Sequence, residues 1–272
     1  MDAEPKGAID EVPLVVDMDG TLLRTDTLHE AVFAFAARHP FRLLELVSWL
    51  RLGKAGFKRR LADEVLLDAE HLPVNDAVLE MVRSARAEGR RVDLVTAADQ
   101  RQAERVAARF GLFGEVHGTG SDHAPECNLS GEAKAELLVR LHGERGFDYI
   151  GDAAADLPVW KRARTALTVG ARPVLQRAVD AGSARAEHLP GSIGPGARML
   201  GLLRAMRPHQ WAKNVLVFMP PIAAHEPSAL PSALVAFAAF SLTASSVYIV
   251  NDLLDLDADR GHARKRNRPF AS

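Results

Sequence analysis

The sequence predicts an α/β domain with a parallel sheet, followed by an all-α segment that spans a membrane. Apolar runs typical of buried strands alternate with helical patterns, and the first run ends in a pair of acidic residues. In the second part, from residue 214 to residue 251, the only Asp, Glu, Lys, Arg or His side chains are those of His225 and Glu226. A chain of 272 residues is long enough for both parts.

Composition separates the chain at about residue 193. Lys and Arg number 25 against 30 Asp and Glu before that position, and 9 against 5 from there on, so the second part is both basic and apolar. The basic residues flank hydrophobic stretches and form no aromatic-basic array, which argues against nucleic acid as a partner. The single cysteine, Cys127, allows no internal disulfide and fits a reducing compartment.

Four segments are predicted to be strands. Each is apolar, and helical patterns lie between them, as in parallel strands joined by helices. These segments are residues 13–18, 91–96, 148–151 and 165–170.

A long insertion without strand signals, about residues 24–88, separates the first two predicted strands. Thr27 and Glu30 have the spacing of a capping box ahead of a helix that extends to residue 38. Further helical patterns follow, the last closed by Gly89. They cover residues 41–52, 57–67 and 76–87. The insertion is therefore predicted to be a helical lid.

Two carboxylates, Asp17 and Asp19, stand at the end of the first predicted strand, followed at once by Gly20 and Thr21. In a doubly wound sheet, side chains at the carboxyl end of a strand point into the crevice that holds the ligand. Two acids in that place repel one another unless a cation is bound. The arrangement suits phosphoryl transfer.

This motif resembles that of the haloacid dehalogenase (HAD) superfamily of aspartate-dependent phosphatases. The resemblance implies a Rossmann-like sheet with a helical cap of the kind carried by phosphatases similar to phosphoserine phosphatase. It also implies that Asp17 attacks phosphorus and becomes an aspartyl phosphate, while Asp19 protonates the leaving oxygen and later activates water. Because transport ATPases of the superfamily have Thr at the second position and dehalogenases lack that Asp, Asp19 favours a hydrolase of phosphate esters.

Two later motifs match the family order. Thr96, followed by Ala97, ends the second predicted strand, and the resemblance implies that its hydroxyl and the loop amides bind phosphate oxygens. Lys134 would neutralise charge on the nucleophile and the phosphate. Taken singly, Thr96 is equally typical of a strand end and Lys134 of a solvated helix.

The last motif contains Asp152 and Asp156. By the resemblance, Asp152 would bind Mg²⁺ together with Asp17 and the carbonyl of Asp19, and Asp156 would hold Lys134 or a metal-bound water. Taken alone, Asp156 is also typical of a helix N-cap. A non-catalytic HAD module that docks or regulates another protein is the alternative, although such modules commonly lack the nucleophile.

Some apolar residues of the insertion are candidates for an entrance to the site for a lipid-linked substrate. The alternative is that they form the core of the cap, because helical spacing of apolar residues is the ordinary signature of packing. These residues are Phe33, Phe35, Phe41, Leu44 and Trp49.

A glycine-rich stretch after residue 189 predicts a domain boundary. The predicted domains are a HAD-like unit at 1–192, a linker at 193–203 and a membrane segment at 204–272.

Two apolar runs in the last segment predict a transmembrane hairpin. Residues 229–250 are long enough to cross a bilayer, and the first run also suffices if it begins near Trp211, although Pro220 and Pro221 should kink or end it. Lys and Arg lie on both flanks, which predicts a multi-pass protein of the cell (inner) membrane with the HAD domain in the cytoplasm. A buried helical hairpin of a soluble domain is the alternative.

Directly after the longer run, Asn251 is followed by Asp252, Asp255 and Asp259. On a continuing helix these three carboxylates share one face, where like charges are destabilising unless a cation binds them. The pattern is similar to the Asn-Asp-x-x-Asp-x-x-x-Asp motif of the UbiA family of membrane prenyltransferases. By that resemblance, the three carboxylates would hold Mg²⁺ against a diphosphate and Asn251 would support the site.

The segment that contains Lys213 and Asn214 resembles the start of the same family, and these two residues, with Arg266, are candidates for phosphate or substrate contacts. A solvated acidic loop is the alternative for the aspartates. UbiA proteins have about nine spanning helices. The sequence is therefore expected to be a truncated chain or a fragment of a HAD–UbiA fusion.

Together these observations predict a Mg²⁺-dependent phosphomonoester hydrolase fused to a UbiA-type transferase that acts on polyprenyl phosphates or diphosphates in one lipid-linked pathway. The expected partners are a phosphorylated small molecule or lipid-linked substrate, and membrane lipid. The alternative is a non-catalytic HAD module that docks or regulates the transferase.

Overall fold

The computed structural model describes residues 12–122, 127–191, 195–262, 265 and 268–271. The chain divides into two compact units, Met1–Ser192 and Ile193–Ser272.

The first unit contains a six-stranded parallel sheet with the strand order β3-β2-β1-β4-β5-β6. The strands are β1 (Leu14–Val16), β2 (Val92–Asp99), β3 (Val116–Thr119), β4 (Asp148–Gly151), β5 (Thr165–Val169) and β6 (Ala186–Leu189). The predicted parallel, Rossmann-like sheet is confirmed. Strand β1 lies at the centre, with Val15 opposite Asp93 of β2 and Tyr149 of β4.

Strands β3 and β6 were not predicted, and they form the two edges of the sheet. Their sequences, Val-His-Gly-Thr and Ala-Glu-His-Leu, lack the apolar run that identifies a central strand. Strand β6 is only partly buried and so needs few apolar residues, whereas β3 buries the small or polar residues His117, Gly118 and Thr119.

Helices connect the strands and cover both faces of the sheet. The helices of the first unit are α1 (Thr27–Arg38), α2 (Leu43–Trp49), α3 (Gly53–Glu64), α4 (Asp76–Ala87), α5 (Gln100–Phe110), α6 (Glu132–His142), α7 (Leu157–Arg162) and α8 (Pro173–Gly182). Short 3₁₀ turns at Pro40–Arg42 and Leu50–Leu52 flank α2.

Two buried clusters lie on opposite sides of the sheet. Along β1, Leu14 and Val16 belong to one cluster and Val15 to the other, and Tyr149 and Ile150 of β4 alternate in the same way. This two-residue period is that of a strand buried on both faces. Both clusters consist of residues from 14 to 189, so the first unit has its own core.

The predicted capping box at the start of α1 is wrong. The N-cap is Asp26, whose carboxylate accepts the backbone N–H groups of Leu28 and His29 at 2.9 and 3.1 Å. Glu30 instead accepts a hydrogen bond from the Thr25 hydroxyl. An Asp one residue earlier satisfies the free N–H groups of the first turn, which leaves Thr27 inside the helix.

The insertion between β1 and β2 is mainly helical, as the sequence predicted, but the helix predicted at 57–67 ends at Glu64 and residues 65–68 and 72–75 are irregular. Its last helix, α4, packs against β2 through Val78, Leu79 and Val82, which are buried in the same cluster as the sheet residues. Helices α1, α2 and α3 pack against one another and form the cap.

The candidate entrance residues divide into two groups. Phe35 and Trp49 are buried in the cap with their rings edge to face at 5.1 Å, and Phe33 is half-buried. Phe41 and Leu44 are exposed. Phe35 and Trp49 therefore belong to the core of the cap, whereas Phe41 and Leu44 do not.

The second unit is helical. It contains α9 (Pro195–Ala205), an irregular 3₁₀ segment (Pro208–Phe218), α10 (Met219–Ala223), α11 (Leu230–Leu254) and α12 (Leu256–Gly261). In the predicted linker at 193–203, the residues from Pro195 onward form the first part of α9. A proline tolerates the first turn of a helix, and the residues that follow favour one.

The 3₁₀ segment and α11 pair in antiparallel fashion. The Trp211 indole donates to the Ser245 hydroxyl at 3.0 Å, and the Asn214 amide donates to the Ser241 hydroxyl at 3.1 Å. Among the described residues, one helix is long and apolar enough to cross a membrane, Pro227–Leu254, with a mean hydropathy of 1.9. The first apolar run is broken into a 3₁₀ segment and a short helix near its two prolines, so among the described residues it adds no second helix of spanning length. The hairpin stays a prediction.

Candidate active site

The candidate site lies at the point where the strand order of the sheet reverses. From β1 the chain proceeds to β2 and β3 on one side, and it then returns to β4 on the other side of β1. The loops that follow β1 and β4 therefore diverge and leave a crevice between them. Asp17 follows β1 directly, and Asp152 follows β4.

Lys134 of α6 reaches this crevice and contacts three side chains. Its Nζ lies 2.8 Å from Oδ1 of Asp17, 2.9 Å from the hydroxyl of Tyr149 and 3.4 Å from Oδ1 of Asp156. The Tyr149 hydroxyl in turn donates to Asp156 at 2.7 Å. All four residues are buried, so this network holds the Asp17 carboxylate in one orientation.

Burial and neighbouring charges perturb the ionisable groups of this network in opposite directions. Burial raises the pKa of Asp17 to about 6, even though the Lys134 ammonium favours the ionised carboxylate. For Lys134, burial disfavours the charge, but Asp17 and Asp156 overcome it and hold the pKa above its usual range. The lysine thus stays protonated beside the carboxylate.

Asp17, Asp152 and Asp156 each offer a carboxylate oxygen to a common point, with these oxygens within 4.8 Å of one another. The Thr21 hydroxyl donates to Asp152 at 3.3 Å. Gly20 has a positive φ of 75°, and a side chain there would collide with the Asp152 carboxylate. A glycine is therefore needed for the loop after β1 to approach Asp152 so closely.

The donor set of this cluster fits Mg²⁺. Among the described residues, Lys134 alone forms ion pairs with these three carboxylates, which leaves a deficit of positive charge at the cluster. Burial together with the charges of Asp17 and Asp156 raises the pKa of Asp152 to about 7. Asp156 already accepts from Lys134, Tyr149 and the backbone N–H of Ala153. Asp17 and Asp152 therefore retain oxygens for a cation, and Asp156 positions Lys134.

The carboxylate of Asp19 lies on the cap side of the crevice. It accepts the backbone N–H of Thr27, in the first turn of α1, at 3.0 Å. Burial raises its pKa to about 7, with Asp26 and Asp17 adding to the effect and the Thr27 bond opposing it. Asp19 can therefore carry a proton at neutral pH while the lysine-paired Asp17 is largely ionised, which suits an acid and a nucleophile respectively.

Thr96 and Ala97 line the same cavity at the end of β2. The Thr96 hydroxyl is buried and accepts the backbone N–H of Ala98 at 3.1 Å, so its own proton points elsewhere. The carbonyl of Ala97 accepts from Thr119 at 2.8 Å and from Lys58 at 2.6 Å.

Sequence reasoning missed Lys58 and the role of Tyr149. Lys58, on α3, bridges the cap to the end of β2 through Ala97 and also contacts the Asn128 amide oxygen. In the sequence it belongs to the run Lys58-Arg59-Arg60, which is indistinguishable from a solvated charged face. Tyr149 stands next to the last motif, but only the structure shows that its hydroxyl joins Lys134 to Asp156.

Together these groups line a cavity of about 420 Å³. One wall consists of the acidic cluster with Thr96 and Lys134. The cap contributes the apolar side chains of Leu28 and Ala31 of α1 and Leu61 of α3, together with the polar Thr27 and Lys58. The cavity therefore offers a charged end for a phosphate and a partly apolar surface for the group attached to it.

The acidic motif of the second unit is arranged differently from the prediction. Helix α11 ends at Leu254, so the expected continuous helix is interrupted at Asp255. Asp252 accepts from Arg207 at 2.7 Å and from Arg268 at 3.2 Å, and Asp259 accepts from Arg268 at 2.6 Å.

Within the part of the chain that the structure describes, Asp252, Asp255 and Asp259 do not form a metal-binding cluster of the kind seen in the first unit. Arginines supply the counter-charge to two of them instead. Asn251 donates to Asp255 at 3.1 Å, and Lys213 is exposed.

Asn214 is engaged with Ser241. Arg266 lies outside the described residues. The substrate roles of Lys213, Asn214 and Asn251 remain predictions.

The fold and the site define a Rossmann-like α/β domain with a helical cap and an acidic crevice. A family model described as haloacid dehalogenase-like hydrolase matches residues 14–161, more than half of the sequence. The chain belongs to this family.

Similar proteins cover both units. The uncharacterized protein y4nM of Sinorhizobium fredii is 36% identical over 267 residues, which is 96% of this chain and 50% of that protein. The decaprenyl-phosphate phosphoribosyltransferase of Mycobacterium tuberculosis strain H37Rv is 45% identical over 85 residues, 29% of this chain and 28% of the transferase. A HAD family hydrolase, t0658, from Salmonella enterica has a TM-score of 0.48 at 16% identity, covering 68% of this chain and 70% of its own.

The chain spans half of the Sinorhizobium protein and less than a third of the transferase. It thus combines a HAD hydrolase domain with partial similarity to decaprenyl-phosphate phosphoribosyltransferase, which is consistent with a fusion of HAD and UbiA-like parts.

Proposed function

We propose that the first unit is a Mg²⁺-dependent phosphomonoester hydrolase that works through an aspartyl phosphate on Asp17. The observation that carries this proposal is the buried contact between Asp17 and Lys134, in a crevice that also holds Asp152 and Asp19. A nucleophile, a proton donor, a fixed positive charge and a cation site within one cavity are what phosphoryl transfer from an ester requires.

In the first step, a carboxylate oxygen of Asp17 attacks phosphorus and the bond from phosphorus to the ester oxygen breaks. Asp19 gives its proton to that oxygen, so the leaving group departs as an alcohol. In the second step, Asp19 accepts a proton from water, which attacks phosphorus, breaks the bond to Asp17 and releases phosphate. Lys134 stays protonated and offsets negative charge on Asp17 and on the phosphate oxygens throughout.

Asp17 and Asp152 would hold Mg²⁺, which supplies positive charge opposite the transferred oxygens when it is bound. Thr96 is placed to donate its hydroxyl proton to a phosphate oxygen, because its own acceptor position is already used by Ala98.

The size of the cavity limits what can enter it. A volume of about 420 Å³ lies near the lower end of the roughly 300–1,000 Å³ typical of small-molecule sites, which is room for a phosphate and a group the size of a sugar. A polyprenyl tail would remain outside. The substrate is therefore a phosphorylated small molecule or the phosphorylated headgroup of a lipid.

The second unit is proposed to be the first part of a UbiA-type transferase that acts on polyprenyl phosphates or diphosphates. The partial similarity to decaprenyl-phosphate phosphoribosyltransferase and the acidic motif after α11 support this. We propose further that both units serve one lipid-linked pathway at the cell (inner) membrane, with the HAD domain in the cytoplasm. An intermediate such as a phosphoribosyl polyprenyl phosphate would then lose its phosphate at the first unit.

The test is phosphate release by the full chain in lipid nanodiscs, with and without Mg²⁺, for the wild type and Asp17→Asn. The control is Asp76→Asn, at an exposed position on α4. The substrates are a panel of soluble phosphomonoesters and phosphoribosyl polyprenyl phosphate.

Activity that requires Mg²⁺ and disappears in Asp17→Asn alone would support the aspartyl-phosphate mechanism, and preference for the lipid-linked substrate would support a single pathway. Full activity in Asp17→Asn would contradict the mechanism. No phosphate release by a folded wild-type protein with Mg²⁺ would favour the non-catalytic docking module.

A further inference from the structure

Helix α2 and its flanking turns carry apolar side chains on two sides. On the inner side, Trp49 is buried against Phe35, and Leu46 packs against the same core. The outer side bears a second apolar row, which we call the cap face. The cap face consists of Phe41, Leu43, Leu44, Val47, Leu50 and Leu52.

The exposure of the cap face is unusual for a surface helix. Phe41 is 99% exposed and Leu44 is 84% exposed, whereas a surface helix ordinarily turns polar residues to solvent. Within residues 12–122 and 127–191, the large apolar side chains that are exposed all belong to this face, with the single exception of Val174 on α8. Contiguous apolar surface of this kind marks an interaction site more often than scattered apolar residues do.

Positive charge surrounds the cap face. Residues 38–60 contain seven Lys or Arg and one acidic residue, Glu45. Of these bases, Arg42 and Arg60 pair with Glu64, and Lys58 lines the cavity. Glu45 is already held by Arg42, at 2.7 Å. Arg51 and Lys54 follow α2 immediately and are exposed. The exposed Arg51 and Lys54 beside the apolar row therefore favour a partner with an apolar interior and a negatively charged surface.

We propose that the cap face inserts into the headgroup region of an anionic phospholipid bilayer. Apolar tips ringed by Lys and Arg are what an interfacial protein segment presents to such a membrane. The same chain carries a helix, Pro227–Leu254, that is long and apolar enough to cross a bilayer. A second copy of the chain fits less well, because two faces with this excess of positive charge repel one another.

Membrane contact at this face would affect how a lipid-linked substrate reaches the cavity. Helices α1 and α3, which precede and follow α2 in the chain, line the cavity, and the cap is held to the end of β2 through Lys58. A lipid-linked headgroup could then enter the cavity while its tail stays in the bilayer. The membrane contact itself does not depend on whether the first unit hydrolyses phosphate esters.

The decisive measurement uses the full chain, with Cys127→Ser, in vesicles of phosphatidylcholine and phosphatidylglycerol. One cysteine is introduced by Leu44→Cys, labelled with the fluorophore NBD, and compared with Val174→Cys labelled in the same way. Val174 is a matched control because it is apolar, exposed and outside the cap face. Emission is recorded with and without lipids that carry a nitroxide quencher.

We expect the label at position 44 to shift to the blue and to be quenched by the nitroxide lipids, and the label at position 174 to do neither. Replacing phosphatidylglycerol by phosphatidylcholine should weaken both effects, because the attraction to Lys and Arg is lost. A label at position 44 that behaves like the one at 174 would overturn the proposal. A blue shift without quenching would also overturn it, because the face would then be covered by protein.

A second measurement connects the face to substrate. The double variant Phe41→Ser with Leu44→Ser should raise the KM for phosphoribosyl polyprenyl phosphate in the same vesicles by about tenfold or more, because two inserted side chains are lost. Hydrolysis of soluble p-nitrophenyl phosphate should be unchanged, as should both activities of Val174→Ser. An unchanged KM for the lipid would refute this consequence. Absence of any hydrolysis by the wild type would contradict the proposed function and leave the fluorescence result to decide the membrane contact.

Discussion

Replacing Lys134 by methionine tests the charge balance of the candidate site. The side chain of Lys134 is only 3% exposed, and its ammonium lies between the carboxylates of Asp17 and Asp156. Methionine has a similar length and no charge. The variant therefore keeps most of the packing and leaves the two carboxylates buried without this partner.

Removing one partner of a buried ion pair costs about 3–5 kcal/mol of folding free energy. With a urea m-value of about 2–3 kcal/mol/M for a unit of this size, the unfolding midpoint should fall by about 1–2 M. This is a large part of the roughly 5–15 kcal/mol that stabilises a typical domain.

The loss should depend on pH. The pKa of Asp17 is already raised to about 6, and without Lys134 it rises further. An acid whose pKa is higher in the folded than in the unfolded state stabilises the folded state at low pH and loses that contribution as pH rises through the folded pKa. The difference between wild type and variant should therefore be largest above pH 6 and smaller near pH 5.

The assay is urea unfolding of residues 1–192, which contain both buried clusters of the first unit, in the absence of divalent cations. Lys58→Met serves as the control, because Lys58 contacts a carbonyl and an amide rather than a carboxylate. Adding Asp17→Asn to Lys134→Met should recover part of the loss. Equal stability of wild type and Lys134→Met at pH 8, or the same loss at pH 5 and pH 8, would refute the reasoning.

Three further outcomes are expected. Gly20→Ala should raise the Mg²⁺ concentration needed for half-maximal activity, because the new Cβ displaces the Asp152 carboxylate. The positive φ at this position costs the alanine a further penalty of about 1–2 kcal/mol. An unchanged Mg²⁺ requirement would contradict the metal role of Asp152. Lys58→Met should raise KM by about tenfold with little change in kcat, because the cap loses its hydrogen bond to the Ala97 carbonyl. Arg59→Met, at the exposed neighbouring position, should change neither constant. Equal effects of the two substitutions would contradict a role for the contact between Lys58 and Ala97. Although burial opposes it, hydrogen bonds from Arg164 and Arg90 lower the pKa of Asp148. The wild type should therefore be about 2–3 kcal/mol more stable than Asp148→Asn near neutral pH, and urea unfolding should show this difference decreasing as pH falls below about 4. A difference that is independent of pH would argue against the ion pairs.

The central strands were predictable because they are buried on both faces and therefore nearly uniformly apolar. The predicted strand at 148–151 coincides with β4, and that at 165–170 exceeds β5 by one residue. The edge strands β3 and β6 were missed, because their short sequences lack an apolar run and resemble loops.

The residues of the first unit's site were predictable as a set. Asp17, Lys134, Asp152 and Asp156 were each identified from a short motif, and the structure brings them together. Lys58 has no motif, and its role follows only from the packing of α3 over the end of β2. In the second unit, the spacing of Asp252, Asp255 and Asp259 suggested a shared metal, which stays a prediction. Only the structure shows that Arg207 and Arg268 pair with Asp252 and that Arg268 also pairs with Asp259.

By itself, the sequence determined the α/β class, the helical insertion, the site motifs and the presence of an apolar segment long enough for a membrane. These features depend on local patterns, because strand burial, helical periodicity and short motifs can be recognised from residues that are close together in the sequence. Only the tertiary structure decided which side of α2 is buried, which charges meet Asp252, and how Tyr149 and Lys58 join the site. Those outcomes depend on contacts between residues far apart in the chain, and a local pattern carries no information about which distant side chain will lie opposite it.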